Sequence, residues 1–285
     1  INDIPVRVVG PGSQASDAEE SLAYIDMPSD MAKYAAPAMP EPEAVADLAG
    51  AREAVSWLRA ALADYTVGDD PELADLSALD AASRELINQV LGEGEVSINY
   101  TAKVRARTQE AVLAGVWRTF YLDAEGGVLH DLLEVADVPH LVRPPDVAAG
   151  SLAIDAASAP PDVPNALPLL VEIDSHCAAY AKTGQSHSIN LSLLPLSDEE
   201  LEYLDARLGR GAVDVLSRAY GKCQVISTQM PNVWWVRYYN SMGTPILNSI
   251  EITDVPQVVN AAAEDLRDSA LRLEEIIAPY WSEVA

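Results

Sequence analysis

The chain is short of basic residues, of cysteine and of long apolar runs, and each shortage excludes a class of protein. Eighteen lysines and arginines stand against 44 aspartates and glutamates, a formal charge of −26. A field of that sign repels a phosphate backbone, so nucleic-acid binding is not expected. It favours solubility and would steer a basic protein partner. Two cysteines in 285 residues exclude a disulfide scaffold and suit the reducing cytoplasm, the expected location. No apolar run reaches the ~18 residues of a membrane span, so no membrane insertion is expected. Residues 1–10 lack a basic start followed by an apolar core, so no secretory signal is read there, and Ile1 is not expected to be the natural start. What remains is a globular balance, 49% hydrophobic and 22% charged, with ample chain to bury a core.

The chain repeats itself at an offset of 117 residues. Val116-Trp117 faces Val233-Trp234, Asp137-Val138-Pro139 faces Asp254-Val255-Pro256, and Leu91-Gly92-Glu93-Gly94 faces Leu208-Gly209-Arg210-Gly211. From 76 to 142, 17 of 67 positions are identical without a gap. A unit this long is a small domain and not a solenoid repeat. Residues 1–46 read as an N-terminal arm, 47–163 as the first copy and 164–285 as the second, which carries a C-terminal helix. The two modules are expected to pack about a pseudo-two-fold axis.

The second copy reads more clearly. Asn165 can cap a helix running to about Lys182, with Gly184 as its stop. Ser188–Leu194 reads as a strand. Ser197-Asp198-Glu199-Glu200 is a capping box opening a helix that Gly209 ends. Residues 212–219 read as a short helix. Strands follow at Gln224–Thr228, Val233–Asn240 and Leu247–Thr253, an antiparallel meander. Asp254 and Pro256 are placed at the start of a last helix reaching about Ile277. In the first copy a helix is expected over Glu43–Tyr65 and a break at Pro144-Pro145, with a linker over 156–164. The polar stretch Glu72–Leu76 reads poorly as a strand. In the arm, Val6–Val9 reads as a strand and Tyr24–Met31 is too apolar for a free tail. The fold class is α+β, each module a mostly antiparallel sheet with helices on one face.

Chemistry is sparse. Gly92-x-Gly94 and Gly209-x-Gly211 lack the remaining elements of a phosphate loop and follow helices, where glycine is the usual stop. No C-x-x-C or H-x-x-x-H spacing occurs, so no metal site, cofactor or catalytic constellation is assigned. Val233–Tyr239 places large rings on both faces of one strand. Trp234, Trp235 and Tyr239, with Trp117 and Arg118 in the first copy, are the candidate partner-binding residues, because such rings dominate interfaces. The alternative is burial against the sister copy.

The strings Leu91–Val96, Gln109–Arg118, Leu216–Cys223, Val233–Val236, Ile246–Glu251 and Asp254–Pro256 resemble the hydrogenase expression/formation proteins of the HupH (HoxQ, HyaF) type. Gly10–Gln14 and Tyr24–Pro28 resemble that family's opening, and Ala219 departs from an expected glycine. The resemblance implies a non-catalytic scaffold or chaperone for the iron–sulfur small subunit of uptake [NiFe]-hydrogenase. Its implied partners are the small-subunit precursor, whose basic leader the acidic field could complement, and other hydrogenase accessory proteins. It supplies no catalytic residues. The competing reading is an iron–sulfur or metal carrier using Cys223 and Cys177.

Overall fold

A computed structural model describes residues 40–143, 160, 162–218 and 221–281. The readings of residues 1–39, of the break at Pro144-Pro145, of most of the linker and of Ala219 lie outside the described residues. The strands are β1 (Glu72–Asp75), β2 (Val96–Thr101), β3 (Arg105–Glu110), β4 (Val116–Leu122), β5 (Val128–Val135), β6 (His187–Asn190), β7 (Val213–Ser217), β8 (Lys222–Ser227), β9 (Val233–Tyr239) and β10 (Pro245–Ile252). The helices are α1 (Pro42–Val45), α2 (Ala49–Asp64), α3 (Ala81–Leu91), α4 (Ala166–Thr183), α5 (Asp198–Leu208) and α6 (Ala263–Ile277).

All ten strands form one sheet, in the order β1-β5-β4-β3-β2-β7-β8-β9-β10-β6. Each module supplies five, paired antiparallel, as the α+β reading requires. From β2–β5 to β7–β10 the offset of 117 holds down to the register, whereas the edge strands β1 and β6 align at 115. Trp117 pairs Glu134 and Trp234 pairs Glu251, and each of these hairpins slips by one residue at the matching place. The modules join where β2 meets β7, and there Ile98 pairs Val215. Those two residues are each other's equivalents, so the seam lies on the pseudo-two-fold axis.

Local chemistry explains most elements. Ser197 and Glu200 form the full capping box at α5, and Asp80 caps α3 through Ser83. Gly92, Gly184 and Gly209 end their helices at positive φ. The second glycine of each G-x-G has a separate reason. A Cβ on Gly94 would collide with the Ala111 carbonyl, and one on Gly211 with the Thr228 carbonyl. Both N–H groups donate across that approach, to Glu110 and Ser227, at 2.7 Å.

Six expectations are corrected. The strand expected over Ser188–Leu194 ends at Asn190 and continues as a 3-10 turn over Leu191–Leu193, and the helix expected over Glu43–Tyr65 is two helices broken between Val45 and Ala49. Residues 213–217 are the strand β7, with Val213, Val215 and Ser217 buried in alternation. Five residues are too few to separate the two periods, and the pairing partner lies in the other module. Glu72–Asp75 is a strand despite its polarity, because it sits at the sheet edge with three of its four side chains exposed. The last helix begins at Ala263: Pro256 precedes a single 3-10 turn over Gln257–Val259, and the chain then breaks before α6. Asn165 does not cap α4 with its side chain; its backbone N–H and side-chain amide donate to Glu200 instead.

The sheet has two unlike faces. On the near face, α2 and α3 cover the first module around Leu58, Ile87, Leu113 and Leu133. Helices α4 and α5 cover the second around Ile173, Leu204, Trp235 and Ile250. Leu266, Leu273 and Ile277 of α6 bury in the first module's core, and Arg59 of α2 pairs with Glu274 at 2.6 Å. The far face carries the core of the seam, with Ile98, Val215, Trp117 and Trp234 under Ala136–Val142 and Val255–Val259.

At the end of β3, burial pushes the Glu110 carboxyl up to about 7, only partly offset by hydrogen bonds from the Val96 and Gly115 backbone. The folded protein therefore keeps this proton after the unfolded chain has lost it. Stability falls as pH rises from about 4.5 through 7, and the full penalty stands above 7. The gap sets a ceiling of about 3 kcal/mol, and the carboxyl's remaining contact with water lowers it. Glu110→Gln is expected to gain about 1–2 kcal/mol at pH 8 and nothing at pH 4, measured by urea unfolding at both values.

Candidate functional site

The far-face seam gathers the repeated motifs. Trp117 donates its indole N–H to the Ala136 carbonyl at 2.9 Å, and Trp234 donates to Thr253 and Asp254 at 3.1 and 2.9 Å. These indoles hold the two Asp-Val-Pro segments over the sheet. Arg143 bridges the paired aspartates, Asp137 and Asp254, at 2.8 Å each. Tyr65 also donates to Asp137, and burial pushes its phenol up to about 12. Beside it, the fully buried Glu134 accepts from the backbone N–H of His140 and pairs with its ring Nδ1 at 2.8 Å, while Nε2 meets Tyr121 at 2.9 Å. The hydrogen bond to Glu134 raises the His140 pKa. Burial and the Glu134 charge raise the Tyr121 phenol, which stays a proton donor. The array immobilises the segment that covers the first-module tryptophan.

On the near face Arg118 fills the floor of a groove of about 470 Å³ between α3 and β5, under the exposed Val128 and Leu129. It grips Asp131 with two bonds of 2.8 and 2.7 Å and also donates to Asn88. The second module keeps the place but changes the chemistry. Trp235 stands for Arg118 and Asn248 for Asp131, and the indole donates to the amide oxygen. An arginine–aromatic stack survives in both, in reversed order: Arg118 over Phe120 at 4.9 Å, and Arg237 over Trp235 at 4.4 Å.

Four of the five residues singled out from the sequence are therefore interior. Trp117, Arg118, Trp234 and Trp235 are all under one-tenth exposed. The strand's two tryptophan faces are covered by the far-face segments and by the helices. Tyr239 is half-buried, and Lys222 lies 5.3 Å from its ring. It belongs to an open strip between the two helical layers, where side chains of the near face reach solvent. Asn99, Arg105, Arg107 and Lys222 are exposed there, beside the half-buried Asp214 and Gln224. Five consecutive strands, β3 to β9 across the seam, contribute to this strip. Sequence reasoning missed it, although alternation in Arg105-x-Arg107 signals one polar face.

The two cysteines do not share a site. Cys177 packs with the near-face core and Cys223 with the far-face core, so the sheet lies between them. Burial pushes each thiol up to about 11, away from the thiolate that binds metal. A different trio does converge: Glu172, His176 and His187, whose donor atoms lie within 4.8 Å of one another. The Glu172–x3–His176 spacing on one helix face was the legible half of that signal.

A family model described as the HupH hydrogenase expression protein, C-terminal conserved region, matches residues 48–157 and again 163–280. The duplication is thus matched twice. The chain is 43% identical over 279 residues to the hydrogenase expression/formation protein HoxQ of Cupriavidus necator, covering 96% of each chain. It is 33% identical over 275 residues to the hydrogenase-1 operon protein HyaF of Escherichia coli, covering 95% of this chain and 94% of that one. A solved structure, the hydrogenase expression protein HupH from Thiobacillus denitrificans, is 37% identical, covers 40% of this chain and 95% of that chain, and gives a TM-score of 0.39.

Proposed function

This chain belongs to the HupH hydrogenase expression protein family, and from that membership we propose that it is a non-catalytic scaffold or chaperone for the iron–sulfur small-subunit precursor of uptake [NiFe]-hydrogenase. It works in the cytoplasm beside other hydrogenase accessory proteins. The observation that carries the reading is the family match on both modules, joined by relatives named for hydrogenase expression and formation that match over most of their length. The thiols, Cys223 buried and Cys177 half-buried on the opposite face and both held protonated, give a cysteine-based carrier role no support.

The docking face is the open strip across the seam. A strip between two helical layers can receive an extended or helical segment of a partner, and its polar, non-interlocked surface lets that partner leave. Arg105 and Arg107 are exposed there in a protein otherwise dominated by acid, so the strip suits an acidic segment of the precursor, and its basic leader is left to the acidic surface elsewhere. The full chain, used as bait in hydrogenase-expressing cells, is expected to recover the small-subunit precursor. An Arg105→Glu/Arg107→Glu variant is expected to recover it roughly tenfold less well. Recovery of the large subunit alone, or of no hydrogenase component, would overturn the proposal. Undiminished recovery by the variant would move the docking face elsewhere.

A further inference from the structure

One end of the sheet carries a cluster that the scaffold reading does not use. Glu172 and His176 lie one helical turn apart on α4, so they share a face. Gly184 ends that helix in the left-handed conformation and turns the chain back. Ser186 is tied to Thr253 by a 3.0 Å hydroxyl bond, and His187 then opens the edge strand β6, paired to Ile252 of β10. The return brings the His187 ring against that of His176, with centroids 3.4 Å apart and planes within 3°. His187 Nε2 lies 3.2 Å from a Glu172 carboxylate oxygen. All three side chains are half-buried, so water reaches them.

We propose that Glu172, His176 and His187 form a three-ligand site for a borderline divalent transition-metal ion of the zinc type. Two imidazoles and a carboxylate are a donor set that such ions prefer over calcium or magnesium. Three donors at about 2.0–2.2 Å from one ion stand roughly 3–3.5 Å apart. The donor atoms here already lie within 4.8 Å, so side-chain torsions alone close the set. Parallel rings do not aim two lone pairs at one point, and one imidazole must turn out of the stack when the ion enters. The remaining coordination positions would be filled by water, which reaches the half-buried cluster, or by a donor from a bound partner.

The cluster is not a by-product of the fold. Glu72 pairs Val135 in the first module as His187 pairs Ile252 in the second, so here the copies align at an offset of 115; the first module has Trp57, Ala61 and Glu72 in the three places, and these cannot chelate. The site therefore belongs to one module. It also lies at the far edge of the second module, on strand β6, away from the seam strip, so it stands or falls independently of the docking proposal.

The test uses the untagged full chain, stripped with EDTA and titrated with zinc chloride by calorimetry in a non-chelating buffer. One ion per chain is expected to bind at micromolar concentration or tighter. Cobalt(II) titration is expected to give visible d–d absorption of imidazole-ligated metal. His176→Ala/His187→Ala is expected to weaken binding about a hundredfold, and Glu172→Gln about tenfold. His130→Ala, at an exposed histidine in the other module, should change nothing. Circular dichroism confirms folding, and Glu172→Gln preserves the shape of the cluster should the double variant unfold. No saturable binding below about 100 μM zinc, roughly 5 kcal/mol of binding free energy, overturns the proposal. So does binding that both cluster variants leave undiminished.

Discussion

Trp117→Ala is expected to destabilise the protein by about 3–5 kcal/mol, among the largest effects of any single truncation. Trp117 is fully buried in the far-face core. Its loss leaves a ring-sized cavity beneath the Asp-Val-Pro segment, and the Ala136 carbonyl loses its 2.9 Å donor. The damage falls at the seam, where that core includes side chains of both modules, so a single cooperative loss is expected and not the failure of one module. Urea unfolding followed by circular dichroism and by fluorescence should give coincident transitions, shifted together. Trp57→Ala, at a half-buried ring on α2, serves as the comparison and should cost less. A loss below about 1 kcal/mol for Trp117→Ala, where a well-filled buried site costs several, would mean that the far-face core does not hold the modules together.

The second large effect concerns the pair that differs between the copies. Arg118→Met is expected to cost about 3–5 kcal/mol, because it strands a buried carboxylate. Asp131 is 3% exposed and, among the described residues, would keep Arg84, at 3.8 Å, as its cationic partner. The second module shows how the same place is filled without charge, by Trp235 donating to Asn248. Arg118→Trp combined with Asp131→Asn transplants that pair. The double variant is expected to recover at least half of the loss, because no charge is left unpaired and indole fills the groove floor. A double-mutant cycle by chemical denaturation measures the coupling. Additive losses would show that Arg118 and Asp131 contribute separately and that their pairing is incidental.

The elements with strong local signals were legible from the residues. The capping box at Ser197, the glycine stops and the Val233–Tyr239 strand follow from hydrogen-bonding capacity, φ preference and alternation. The duplication was legible because tryptophan, glycine and proline landmarks kept one register. The elements that failed have weak local signals and distant partners. β7 is five residues long, and β1 is a polar strand held only along one edge. The tryptophans show the same division. Alternation says that Trp234 and Trp235 face opposite sides of a strand, but not that both sides are covered. The Glu172–His176–His187 cluster was half readable, since the helix spacing places Glu172 beside His176 and only the return at Gly184 brings His187 to them.

What the sequence alone determined is therefore the inventory and the symmetry: two related α+β modules, their caps and turns, and membership of a family by dense motif resemblance. The tertiary structure decided how the modules combine. It joined two five-stranded sheets through Ile98 and Val215, placed α6 of the second copy in the core of the first, buried four of the five candidate docking residues, and left the polar strip open. The physical reason is range. Helix caps, φ preferences and side-chain alternation act over a few residues and are written in short strings. The pairing of β2 with β7 and the packing of α6 on α2 are settled by hydrogen bonding and apolar burial between segments more than a hundred residues apart, and no short window of the sequence contains both partners.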